Sequence, residues 1–191
     1  LARRARVNIV TNEHMAAIIR SWGGRAVLVQ DLALDLDPAG PADRLGAFHV
    51  VFICTHSVDE PVAEVVEAAR RRPDVTFSFT GDPAYAPSGF RQSLPANVVL
   101  TGFTPDDEYL RLLRGADAVL VLTREDHTMQ RGAYEAMALE KPLITSHWDL
   151  LRTVFGRGTV HVDNSPEAIV AAVDRIRRQP DLFRREMAEL K

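Results

Sequence analysis

Residues 123–146, TREDHTMQRGAYEAMALEKPLITS, join a polar, charged loop to a helix that carries a glutamate. A polar loop leads into a helix carrying Glu135, and the helix runs on into an apolar strand at 142–145. A strand that delivers a polar loop to a helix N-terminus makes an anion site. The first backbone N–H groups of the helix lack intrahelical partners, and the positive end of its dipole faces the same point. A carboxylate about two turns further in accepts hydrogen bonds from hydroxyls beside that anion. A diphosphate joined to a ribose fits both halves.

The elements that must position this stretch alternate. Apolar, β-branched runs at 7–11, 26–30, 50–55, 75–80, 98–101, 117–122, 142–145 and 159–162 read as strands. The run 50–55, VVFICT, is apolar throughout, as expected of a strand covered on both faces. Helices are expected at 14–22, capped by Asn12 and stopped by Gly23 and Gly24, and at 61–72, where apolar residues fall at 62, 65, 66 and 69. Another is expected to begin with Thr104 or Asp106 as its cap and to stop at Gly115; three more fall at 148–155, 166–178 and 181–190. The Asp-, Pro- and Gly-rich segment DLALDLDPAGPADR reads as a linker and places a domain boundary near 31–45.

Strands alternating with helices imply an α/β fold with a parallel sheet. Ligands of such sheets sit beyond the C-terminal strand ends. Thr55-His56-Ser57, Thr80-Gly81-Asp82, Thr101-Gly102-Phe103 and the loop 123–128 are therefore expected to converge on one crevice.

Composition narrows the function. A hydrophobic content of 46% with 26% charged residues describes a soluble globular chain, and the net charge of −3 argues against nucleic acid as a partner. One cysteine, Cys54, leaves no internal disulfide, suits a reducing, cytoplasmic setting and reads as a buried structural thiol. No apolar run reaches the ~20 residues of a membrane span, and LARRAR at the N-terminus does not read as a signal peptide. A start at Leu1 rather than methionine suits an excerpt of a longer protein.

Several chemistries lack their motifs. There is no G-x-G-x-x-G after a strand, no phosphate-binding G-x-x-x-x-G-K-[ST], no G-x-S-x-G elbow and no H-E-x-x-H. The six histidines are scattered without metal-ligand spacing, so no metal site is expected.

Residues 135–146, EAMALEKPLITS, closely resemble the E-A-M-A-x-G-K-P-V-I-x-S signature of family 4-like (group 1) glycosyltransferases. FTGDP at 79–83, the segment 97–123 and GTVHVDNSPEAIVAAVDRI at 158–176 are similar to further stretches of that family. The resemblance implies the C-terminal, Rossmann-like half of a GT-B fold. Residues 41–191 would form the donor domain, and residues 1–40 the tail of the acceptor domain plus the linker.

It also implies roles. Glu135 would bond the ribose hydroxyls of a nucleoside-diphosphate sugar, and the backbone from Thr128 to Gly132 would cradle the diphosphate, with Arg131 adding a cation. Gly81, Gly102 and Phe103 would complete the donor site, the latter two near the nucleobase. Eight positions before Glu135, where the family has a glutamate beside the donor sugar, stands His127. His127 and Arg131 are the catalytic candidates. In the loop 55–61, THSVDEP, two acids and no base stand where many relatives carry Arg and Lys. Arg131, the helix dipole or a group from elsewhere must then offset the leaving-group charge.

The function implied is transfer of a sugar from a nucleoside-diphosphate sugar to an acceptor, retaining and metal-independent, with no cofactor beyond the donor. An acceptor domain or subunit would come from the N-terminal side, and peripheral membrane association of the full protein is compatible with this reading. The competing reading is a non-catalytic sugar-nucleotide-binding or partner subunit, and a third is a GT-B-like sugar-nucleotide epimerase.

Overall fold

Apolar runs that are buried on both faces pack side by side into one parallel sheet. The computed structural model describes residues 1–29, 34–86 and 88–191. Gln30, at the end of the second expected strand, and residues 31–33 of the expected linker lie outside the described residues. In chain order the elements are β1 (Asn8–Val10), α1 (Glu13–Ser21), β2 (Ala26–Leu28), β3 (His49–Phe52), α2 (Val62–Arg71), β4 (Thr76–Thr80) and β5 (Val98–Gly102). They continue as α3 (Asp106–Gly115), β6 (Ala118–Val121), α4 (Arg131–Ala138), β7 (Leu143–Ser146), α5 (Asp149–Val154), β8 (Thr159–Val162), α6 (Pro166–Arg178) and α7 (Pro180–Leu190).

The main sheet has six parallel strands in the order β5-β4-β3-β6-β7-β8. The chain runs outward from β3 to β5, returns to β6 beside β3, and runs outward the other way. This reversal leaves a crevice above the C-terminal ends of β3 and β6. Val50 and Phe52 of β3 face one core with Val65 and Ala69 of α2 and Ile169, Val173 and Ile176 of α6. Val51, between them, faces the other core with Leu113 of α3, Met137 of α4, Leu151 of α5 and Met187 of α7. The period of two along the strand sends neighbouring side chains to opposite faces. Truncating the fully buried Phe52 to alanine is worth about 3–5 kcal/mol of lost burial and cavity.

Among the described residues β1 and β2 pair only with each other, in a separate two-stranded parallel sheet. The Asn12 side chain caps α1 as expected, accepting from the Met15 N–H at 2.9 Å. The cap of α3 differs from expectation. Pro105 holds the N-cap position without a side-chain bond, and neither Thr104 nor Asp106 supplies one. Proline fixes the extended approach to the helix instead. Gly115 also serves another purpose than a helix stop, because a Cβ there would lie 1.9 Å from the Asp43 carbonyl oxygen. The incoming segment before β3 needs that space. No described helix is long and apolar enough to cross a membrane.

Candidate functional site

A cavity of about 420 Å³ opens at the reversal between β3 and β6. It is walled by the ends of β3, β4 and β5 and by the first turns of α3 and α4. The structure brings Glu135, Arg131, Gly132, Gly81, Gly102 and Phe103 into this lining together.

Glu135 lies one turn into α4, four residues after Arg131, and not the two turns expected from the sequence. The helix begins at Arg131, later than the polar loop suggested. The Glu135 side chain is only 14% exposed, and both of its oxygens are engaged. The Tyr109 hydroxyl donates to Oε2 at 2.6 Å, and Arg131 Nε donates to Oε1 at 3.2 Å. Burial, and then the charge of Glu135, push the Tyr109 phenol well above its ordinary range, so it stays a neutral donor. Gln130 caps α4 without a side-chain bond, and no acid lies in the first turn, so the positive helix end is left to face the cavity.

Loop 55–60, which lacks a base, is organised by its own acid. Glu60 accepts from the Thr55 N–H at 2.9 Å and the Ser57 N–H at 3.0 Å, and from the Thr55 hydroxyl at 3.2 Å. His56 between them adopts a φ of 61°, and the N–H groups on either side of it converge on one carboxylate. Its ring is buried at 7% exposure against the edge of Phe90, and neither ring nitrogen has a partner among the described residues. Burial lowers its pKa, against the nearby charge of Glu60. The cavity-lining Cys54 is also buried, its thiol pushed up by burial and donating to the Thr80 carbonyl at 3.4 Å. Gly81, at φ 78°, closes the floor; a Cβ there would meet the Cys54 carbonyl oxygen at 2.4 Å.

The fourth expected loop behaves differently. His127 and Thr128 are not in the cavity lining. The His127 ring instead stacks on His14 of α1, with centroids 3.4 Å apart and planes 5° apart, and its carbonyl accepts from Asn12 Nδ2 at 3.0 Å. Asp126 Oδ2 sits 3.2 Å from His127 Nε2. These contacts turn the loop toward α1, while Gln130, Arg131 and Gly132 carry the chain back to the cavity. Trp148 and Asn164 secure the loop's start, both donating to the Thr123 carbonyl at 3.0 Å.

One residue of the site, Tyr109, gives no functional signal in the sequence. Tyr109 shares a helical face with Leu112 and Leu113 and reads as core, although a buried tyrosine hydroxyl needs a partner. Glu60 is one of the two acids already noted in loop 55–61, and the structure adds that it lines the cavity and ties the loop together. Among the described residues the cavity's charged lining is Glu60, Asp106 and Glu135 against one guanidinium, Arg131.

A family model described as "Glycosyl transferase-like" matches residues 60–190. The chain belongs to that family. Comparison with curated proteins finds no match. Among solved structures, the sucrose-phosphate synthase of Thermosynechococcus elongatus superposes with a TM-score of 0.74 at 20% identity, over 99% of this chain and 53% of that one. HepE of Anabaena, in complex with UDP-glucose, superposes with a TM-score of 0.78 at 14% identity, over 99% and 59%. The C-terminal domain of a group 1 glycosyl transferase, LpcC of Francisella tularensis, gives 0.59 at 17% identity, over 77% and 85%. The chain thus spans little more than half the length of the first two. The parallel sheet and its helices have the fold of a GT-B glycosyltransferase C-terminal domain.

Proposed function

We propose that this chain is the donor-binding half of a glycosyltransferase that takes a nucleoside-diphosphate sugar. The observation that carries the proposal is Glu135, presented in the cavity within one turn of an α4 N-terminus that faces the same space. A carboxylate accepts both hydroxyls of a ribose, while backbone N–H groups of 130–132 and the Arg131 guanidinium suit the diphosphate. Phe103, 90% exposed at the rim, offers a face for a nucleobase. The complexes of HepE with UDP and with UDP-glucose support this class of ligand.

In this reading the acceptor hydroxyl attacks the anomeric carbon from the face the diphosphate leaves, so configuration is retained. Arg131 and the α4 dipole offset the charge that develops on the departing diphosphate, the work otherwise left to a metal. His127 holds the loop before α4 to α1, a contact between that loop and the segment read as acceptor-side. Residues 1–40 are then the edge of an acceptor domain or subunit that the full enzyme supplies.

Thermal shift against a panel of nucleoside diphosphates tests donor binding. A true ligand at a hundred times its Kd adds about 2.7 kcal/mol of stability. Glu135→Ala should abolish the shift, and no shift with any nucleotide would refute the reading. A second reading, a non-catalytic binding subunit, is favoured by Glu60 in the loop where a cation would aid turnover. It predicts nucleotide binding without hydrolysis or transfer of the bound sugar, even when an acceptor domain is supplied.

A further inference from the structure

Glu135 and Arg131 cannot both be free for a ligand while they hold each other. Arg131 Nε occupies Glu135 Oε1 at 3.2 Å, and Tyr109 occupies Oε2 at 2.6 Å. The two donors differ in mobility. Tyr109 comes from α3, and its ring is packed into the core behind the cavity. The Arg131 side chain is 81% exposed, and its partner lies one turn along the same helix. An i,i+4 ion pair whose cation is largely exposed gains little, whereas a guanidinium on a phosphate makes two charge-assisted bonds.

We infer that Arg131 is an exchanged cation that couples the two halves of the donor. A diphosphate at the α4 N-terminus draws the guanidinium off Glu135, and the freed Oε1 accepts a ribose hydroxyl while Tyr109 keeps Oε2 in place. No other guanidinium or ammonium lines the cavity among the described residues, so nothing else offers the phosphates this exchange. Glu60 does not compete for Arg131, because the Thr55 and Ser57 N–H groups already hold it. Diphosphate and diol recognition become mutually reinforcing, since each is tighter once the other has taken its partner. Arg131 is therefore a specificity residue that favours the nucleoside diphosphate over the bare nucleoside.

The inference rests on the donor reading, and it predicts effects of opposite sign. A nucleoside without phosphates must displace Arg131 from Oε1 and offers it nothing in return. Calorimetric titration of the full chain with uridine and with UDP measures both. In Arg131→Ala, UDP should weaken about tenfold through loss of the charge-assisted bonds. Uridine should tighten about threefold in the same variant, once the competing ion pair is gone. Arg131→Gln should show the same divergence with the helix start preserved. If uridine binding is unchanged or weaker in both variants while UDP weakens, Arg131 is a fixed phosphate contact and the exchange is wrong. The donor reading would then stand. Should the unaltered chain bind neither probe nor any other nucleoside diphosphate, the donor reading fails and the exchange with it.

Discussion

The Tyr109 hydroxyl donates to Glu135 Oε2 at 2.6 Å across the cavity wall between α3 and α4. Neither residue is surface decoration, because Glu135 is 14% exposed and the phenol ring lies against the core. Tyr109→Phe keeps the ring's packing and leaves one carboxylate oxygen without its donor. A stability loss of about 1.5–3 kcal/mol is expected, the usual range for a hydrogen bond to a charged group. Urea unfolding checks it, as a lower midpoint at unchanged slope. An unchanged midpoint would mean the bond does not hold Glu135.

Gly81 and Gly102 both have positive φ, 78° and 70°, but only Gly81 is crowded. A Cβ at Gly81 would approach the Cys54 carbonyl oxygen to 2.4 Å, whereas nothing lies within 4 Å of one at Gly102. Gly81→Ala should cost about 2–4 kcal/mol, from the left-handed backbone plus displacement of the β3 end. Gly102→Ala should cost roughly 1 kcal/mol from the backbone alone. Thermal or urea unfolding of the two variants side by side decides the matter, and equal losses would contradict the crowding.

His49 begins β3 fully buried, with Nε2 2.8 Å from the Ser78 hydroxyl. Burial lowers its pKa to about 4, against the partial opposition of Asp117. The folded chain therefore keeps His49 neutral where the unfolded chain protonates it. Stability is fully present above pH ~6.5 and is lost as pH falls from there toward the folded value near 4. The loss should reach on the order of 2–3 kcal/mol. His56 and His161, whose pKa values burial also lowers, act in the same direction. Unfolding free energies measured across this window should fall with pH, and His49→Gln should flatten the slope.

Glu60 places a negative charge on the cavity wall while tying Thr55 and Ser57. Glu60→Gln removes the charge and keeps an oxygen acceptor. UDP affinity should rise about fivefold, the size of a roughly 1 kcal/mol Coulomb effect near a protein surface. The gain should shrink at high salt, as for any partly exposed charge. Titration of UDP at low and high ionic strength checks both, and weaker binding would show that the loop's order matters more than its charge.

Strand and helix positions were legible because their signals are local. The apolar run at 50–55 and the four-residue rhythm at 62, 65, 66 and 69 announced β3 and α2, and the observed ends differ by one to three residues. Glu135 was legible for a related reason, since a carboxylate shortly after a loop-to-helix junction is a pattern along the chain. The resemblance of 135–146 to a glycosyltransferase signature pointed to the family that the match over 60–190 establishes.

The alternation, the apolar faces and the helix that carries Glu135 are therefore written along the chain. These follow from periods of two and 3.6 residues and from backbone groups left unpaired at a helix start. Which groups touch Glu135 and which do not depends on packing between distant elements. Tyr109 reaches it from 26 positions away because α3 and α4 pack on the same face of the sheet. Asn12 holds His127 across 115 positions, and with the His14 stack it turns the 124–128 loop away from the cavity. Glu60 turned inward because the positive φ of His56 aims two N–H groups at it. Contacts of this kind depend on distances that packing sets, and no local pattern along the chain encodes them.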